Sequence, residues 1–220
     1  MKVYFISGLA ADRRVFRNIR LPEGYKTIYL DWITHHPHES LESYASRLAQ
    51  KIDTTDKFVL VGLSMGGMIA SEIAKFYQPQ LTILISSVPV YHHFPRRFRL
   101  AKMLNMHRVI PVSMFKSASV IKRLFAPESR EDKQVLLQLV RESDPAFIKW
   151  ALGAILHWKN ESVPVPMAHI HGSKDEILPV KYTSPTHIIN RGTHLMVMNR
   201  ASEINRLLAE LLNSVQAKML

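Results

Sequence analysis

The stretch Val59-Leu60-Val61-Gly62-Leu63-Ser64-Met65-Gly66-Gly67-Met68-Ile69-Ala70 holds the residues best placed to do chemistry. Lys57 to Val61 is a short, apolar, β-branched run, the pattern of a buried strand. From Met65 onward Met68, Ile69, Ile73, Ala74 and Tyr77 recur at helical spacing. Between the two lies Gly62-x-Ser64-x-Gly66, with Gly67 behind it. On a sharp strand-to-helix turn a serine hydroxyl is pushed out beyond the sheet, and glycines flank it because side chains there would strike backbone. The chemistry this spacing points to is nucleophilic attack by Ser64. The Met65 N–H and the helix N-terminus would face the negative charge that develops on the substrate oxygen. A serine that merely caps a helix in a tight turn is the alternative. The strand before, the helix after and the extra glycine favour the nucleophile.

The run Gly-Leu-Ser-Met-Gly-Gly at 62–67 resembles the nucleophile elbow of the α/β-hydrolase family. That resemblance implies a serine, then an acid, then a histidine in chain order. Ser7-Gly8 stands after the first strand, where the family usually carries His-Gly in a loop that supplies a second oxyanion N–H. Leu9 is then the expected donor, with an ordinary turn as the alternative. The stretch 166–179 reads as strand-Gly-x-x-Asp-x-x-x-Pro, and the family spacing makes Asp175 the acid, with Glu176 as the rival carboxylate. Gly192-Thr193-His194-Leu195-Met196 matches the family's histidine loop, with Thr193 where a second glycine is usual. His169 and His171 alternate along the preceding strand and read as structural or pocket-adjacent rather than as ligands.

The resemblance therefore implies Ser64 as nucleophile, His194 as the base that takes its proton, and Asp175 as the group that orients the imidazole. Met65 and Leu9 would form the oxyanion hole. The first product would be an acyl-enzyme, which water then hydrolyses. No metal and no organic cofactor is expected. The leading expectation is a serine hydrolase acting on a small-molecule carboxylic ester or thioester. Two alternatives stay open: the same triad used for carbon–carbon bond hydrolysis or non-hydrolytic acyl chemistry, and a ligand-binding or signalling protein with a hydrolase-like pocket. A serine nucleophile argues against the family's epoxide-hydrolase and haloalkane-dehalogenase branches, which use aspartate there.

The elements that must position these residues follow from pattern. Strands are expected at Lys2–Ile6, Lys26–Leu30, Leu81–Ser86, within 166–172, and at Thr186–Asn190. Ser40 reads as the N-cap of a helix that buries Leu41, Tyr44, Ala45, Leu48 and Ile52. Strand alternating with helix predicts an α/β fold, a mostly parallel sheet of about six strands flanked by helices. The resemblance leads one to expect a trimmed sheet, without two strands that often precede the first one in the family. From Val88 to Asn160 no strand is readable; helices are expected at Arg97–Met106, Val112–Phe125, Glu131–Arg141 and Pro145–Trp158. Residues 1–87 and 161–220 are accordingly expected to form the core, and 88–160 a helical cap. The loop His35-His36-Pro37-His38 invites a metal reading, but Pro37 breaks any alignment and no partner is near, so a surface loop is expected.

At 220 residues, 47% hydrophobic and 21% charged, the chain has the composition of one globular domain. No apolar run approaches the length needed to span a membrane, and the first residues lack a convincing signal peptide. Cysteine is absent, which suits a cytoplasmic location. The formal net charge is +11. No nucleic-acid motif and no basic tail accompanies it, so no nucleic-acid partner is expected. Residues 88–160 carry thirteen Lys and Arg against five acids, a net +8. Two readings follow: a solvated basic face, or a lid that steers an anionic acyl substrate toward Ser64. Oligomeric state is not legible.

Overall fold

A computed structural model describes residues 1–109, 111–115 and 129–217. Six strands run parallel in the order β2-β1-β3-β4-β5-β6. They are β1 (Lys2–Ile6), β2 (Lys26–Tyr29), β3 (Phe58–Leu63), β4 (Leu81–Ile85), β5 (Met167–Gly172) and β6 (His187–Ile189). The longer helices are α1 (Leu41–Ala49), α2 (Met65–Ile73), α3 (Arg96–Met103), α4 (Arg130–Glu142), α5 (Pro145–His157) and α6 (Ala201–Ala217). The expected α/β architecture of six strands is what the chain adopts. Most of the helix expected over Val112–Phe125 lies outside the described residues; one helical turn stands at Val112–Phe115.

Side-chain alternation along the strands builds two apolar layers. Val3, Phe5, Val59, Val61, Ile83, Ile85 and Ile170 face one side, under Val15, Phe16 and the α6 residues Ile204, Leu208 and Leu212. Tyr4, Ile6, Leu60 and Leu84 face the other, under Leu41, Tyr44 and Leu48 of α1 and Met68, Ile69 and Ile73 of α2. Ser40 caps α1 as its type predicts, its side chain accepting from the Ser43 N–H. Every residue of α2 is buried, including the polar Ser71 and Glu72, so this helix is enclosed on all sides.

The helices between β4 and β5 divide over both layers. Leu136, Leu139 and Val140 of α4 join the first, and Ala151, Ala154 and Ile155 of α5 join the second with Trp158. Salt bridges from Arg14 to Glu142 (2.6 Å) and from Arg17 to Glu131 (2.8 Å) and Asp132 (2.9 Å) tie α4 to the turn after β1. Trp158 donates to the buried Glu72 of α2 at 2.6 Å. Among the described residues, no helix is long and apolar enough to cross a membrane.

Candidate active site

Ser64 stands at the junction of β3 and α2 with φ 53° and ψ −118°, a conformation that costs a non-glycine residue about 1–3 kcal/mol. The surroundings enforce it. The Ser64 N–H donates to the Ile85 carbonyl (2.9 Å), and the Ser64 carbonyl accepts from the Gly67 N–H (2.9 Å) and from Ser87 Oγ (2.7 Å). A Cβ on Gly62 would strike the backbone of Gly66 and Gly67; one on Gly66 would strike the carbonyls of Ile6 and Ser7. Other left-handed residues cluster at the same edge of the sheet. Ala10, Ser86 and Arg191 have φ of 57°, 48° and 56° in the loops after β1, β4 and β6.

The loops after β3, β5 and β6 bring Ser64, Asp175 and His194 together. His194 Nε2 lies 2.9 Å from Ser64 Oγ, and His194 Nδ1 lies 2.8 Å from Asp175 Oδ2. Asp175 and His194 are buried, while Ser64 is half-buried. Asp175 Oδ1 accepts from the N–H groups of Ile177 and Leu178, both at 2.9 Å. Burial works against a charge at Asp175, but the imidazoles of His194 and His171 beside it outweigh burial and hold the carboxyl well below the usual range. The rival Glu176 is exposed and takes no part in this chain of contacts. The acid and histidine loops are stitched together: the Lys174 N–H donates to the Gly192 carbonyl (2.9 Å), and the Arg191 N–H donates to Ser173 Oγ (2.8 Å). A Cβ on Gly172 would strike the Gly192 carbonyl.

Met65 opens α2, buried directly behind Ser64. Leu9 follows Gly8, whose Cβ position is 3.3 Å from Ser64 Cβ, so the loop after β1 passes against the serine. Ser7, which stands where the resemblance leads one to expect histidine, turns its hydroxyl to the Ala11 carbonyl (2.9 Å). Trp32 Nε1 donates to the same oxygen at 2.8 Å, fastening the loop from its far side.

Three contacts at this edge were not legible as such in the sequence. His169 and His171 are fully buried behind Asp175, ring against ring. The signal was there, since two histidines at i and i+2 of a strand share one face and that strand leads into the acid loop. Ser87 braces the elbow from the end of β4. Arg97 of α3 reaches across to the acid loop, donating to the carbonyls of Glu176 and, at 2.6 Å, Ile177. It therefore serves a backbone contact, not only the basic surface of the 88–160 stretch. In the histidine-rich loop, His35 stacks on Trp150 with rings 5.1 Å apart and parallel within 1°. Among the described residues no group of three or more potential ligands could hold a metal ion.

The sequence profile described as "Alpha/beta hydrolase family" matches residues 3–207. The chain belongs to the α/β-hydrolase family. Among sequence relatives, a pimeloyl-[acyl-carrier protein] methyl ester esterase of Neisseria meningitidis serogroup A is 26% identical over 222 residues, covering 91% of this chain and 70% of the relative. The protein of that name from serogroup C is 25% identical, covering 91% of this chain and 86% of the relative. Among solved structures, MenH from S. aureus superposes with a TM-score of 0.79 at 18% identity, covering 98% of this chain and 94% of that one. A thermophilic esterase from Thermogutta terrifontis superposes at 0.75 with 19% identity, covering 98% and 90%. At such identities the structural likeness speaks for the fold, and this α/β-hydrolase carries its serine at the end of β3, third in a sheet of six parallel strands.

Proposed function

We propose that this protein is a serine hydrolase that cleaves a carboxylic ester through an acyl-enzyme, with Ser64, His194 and Asp175 as its triad. The observation that carries the reading is the unbroken line from Ser64 Oγ to His194 (2.9 Å) to Asp175 (2.8 Å) at the strained elbow. His194 Nε2 accepts the hydroxyl proton as Oγ bonds to the ester carbonyl carbon. Charge passes to the carbonyl oxygen, which the Met65 and Leu9 N–H groups receive, each donor lowering the barrier by about 3 kcal/mol. His194 then gives the proton to the departing alkoxide oxygen. Water repeats the sequence on the acyl-enzyme and frees the acid and Ser64. Asp175 stays ionised throughout, which keeps the Nδ1–H of His194 in place. The relatives named methyl ester esterases support an oxygen ester over a thioester. The 88–160 stretch is assigned the part of a cap rooted in both layers, and its net +8 favours an acyl group that carries negative charge.

The experiment is labelling and turnover on the full chain. A fluorophosphonate should modify Ser64 as read by peptide mass, and p-nitrophenyl acetate should be hydrolysed. Ser64→Ala should abolish labelling and lower turnover by about 10⁴-fold or more. Labelling at another serine, with Ser64→Ala fully active, overturns the reading.

A further inference from the structure

Behind Asp175 lies a pair of buried histidines with no part in the proposed proton transfers. His169 and His171 point from the same face of β5 and are both 0% exposed. His169 Nε2 lies 3.0 Å from His171 Nδ1. His171 Nε2 lies 2.7 Å from the Leu178 carbonyl and 3.4 Å from Asp175 Oδ2. Thr183 Oγ1 is 3.3 Å from His169 Nδ1 at the far end. A carbonyl oxygen only accepts, so His171 Nε2 must carry a proton. That N–H hydrogen-bonds to the Leu178 carbonyl with Asp175 Oδ2 close beside it. With His169 engaging Nδ1, a flip of the His171 ring would replace both nitrogen contacts by carbon. The orientation of the N–H is thereby locked.

We propose that His171 is a positioning residue for the acid, its Nε2–H fixing the Leu178 carbonyl and Asp175 Oδ2 while His169 locks its ring. The inference rests on the proposed role of Asp175. Leu178 connects the two residues. Its N–H donates to Asp175 Oδ1 and its carbonyl accepts from His171, so one residue joins Asp175 Oδ1 to the His171 ring. Asp175 Oδ2 thus meets two imidazole N–H groups, His194 in front and His171 behind. The charge it presents to His194 is shared with the buried ring. His169 is suited to its part because burial, and next the His171 ring, push it down to about 3, so it stays neutral in the working range. Among the described groups, His169 and Asp175 face His171, His194 lies beyond Asp175, and His93 from the turn after β4 acts on His169.

The test compares His171→Phe, which removes the donor, with His171→Gln, whose amide nitrogen reaches the Nε2 position. On p-nitrophenyl acetate, His171→Phe should lower kcat by about 10- to 100-fold at unchanged KM, since small misplacements at a reacting centre have effects of that size. Losing the rear N–H leaves more negative charge facing His194, so the acid limb of kcat/KM should move to higher pH. His171→Gln should restore both toward the wild type. A role confined to packing would lower Tm without moving the limb. Wild-type kcat and pH profile in a folded His171→Phe, with Ser64→Ala inactive, overturns the inference and leaves the hydrolase reading standing. If His171→Phe does not fold, His171→Gln decides by the same profile. Nitrogen-15 NMR of the wild-type imidazoles gives a readout without substitution: His171 Nε2 should stay protonated across the neutral range, and a bare Nε2 overturns the proposal.

Discussion

The two ends of the site are held by different physics. At Ser64, the proposed nucleophile, backbone does the positioning. Ser64 is forced to φ 53° between a strand and a helix so closely apposed that Gly62 and Gly66 have no room for a methyl group. At Asp175, the proposed acid, hydrogen bonds and neighbouring imidazoles do it. Asp175 is gripped by two backbone N–H groups and two imidazoles, and His169 stands behind the second of these. A sterically enforced position tolerates no added atom, whereas a hydrogen-bonded one tolerates a change of shape but not of donor count. The elbow should therefore fail by unfolding or displacement, and the acid loop by losing rate.

The largest effect that separates the two ends is Gly66→Ala. Its new Cβ would meet the Ile6 and Ser7 carbonyls, backbone that cannot rotate away. We expect a cost of about 3 kcal/mol, a Tm lower by roughly 6–12 °C, and loss of esterase activity. A stable, active Gly66→Ala would mean that the elbow is not sterically fixed.

Next comes Asp175→Asn. The amide can keep Oδ1 as acceptor for Ile177 and Leu178, but its NH₂ would face the N–H of His194 and of His171. Folding should survive while kcat falls by about 10⁴-fold. Glu176→Gln, on an exposed side chain, should be near wild type; the reverse ranking would reassign the acid. The same variant has a pH signature. The native pKa of Asp175 is depressed, so its contribution to stability is complete above the unfolded value near 4 and is lost as pH falls through the native value. Asp175→Asn should therefore flatten the decline of Tm below about pH 4.

The smallest expected effects lie on α3. Arg97 braces the acid loop through the carbonyls of Glu176 and Ile177, so Arg97→Ala should lower kcat a few-fold for neutral and anionic esters alike. Arg99 is exposed, and Arg99→Ala should slow only a carboxylate-bearing ester, and only at low salt. Raising ionic strength from 0.1 M toward 1 M shortens screening from about 10 Å to about 3 Å. An equal salt response for matched neutral and anionic esters would remove steering from the account of the basic stretch.

The difference between the two ends also explains what could be read in advance. The elbow is local: strand, turn and helix occupy 58–73 without a break, and the glycines that permit the turn stand beside the serine. Strand alternation, the Ser40 cap and the six-strand parallel sheet were legible for the same reason, since period and punctuation are local properties. Asp175 and His194 were named only through the resemblance of their loops, because no spacing along the chain says that residues 111 and 130 positions from Ser64 converge on it. The partition of 88–160 was less legible still. An absence of strands says nothing about which layer a helix joins, and α4 and α5 join opposite ones.

By itself the sequence determined the backbone constraints: where small residues must stand, which face of each strand is apolar, and where a serine is thrown out over a helix N-terminus. Only the tertiary structure decided the polar contacts. His171 finds Leu178 and Asp175 because β5 ends where its loop folds back, Arg97 meets that loop from a helix 79 residues away, and Ser87 reaches the Ser64 carbonyl across adjacent strands. Sterics and periodicity are written in neighbouring residues, while a buried hydrogen bond depends on a distant donor and acceptor arriving within about 3 Å of each other, which only the assembled fold arranges.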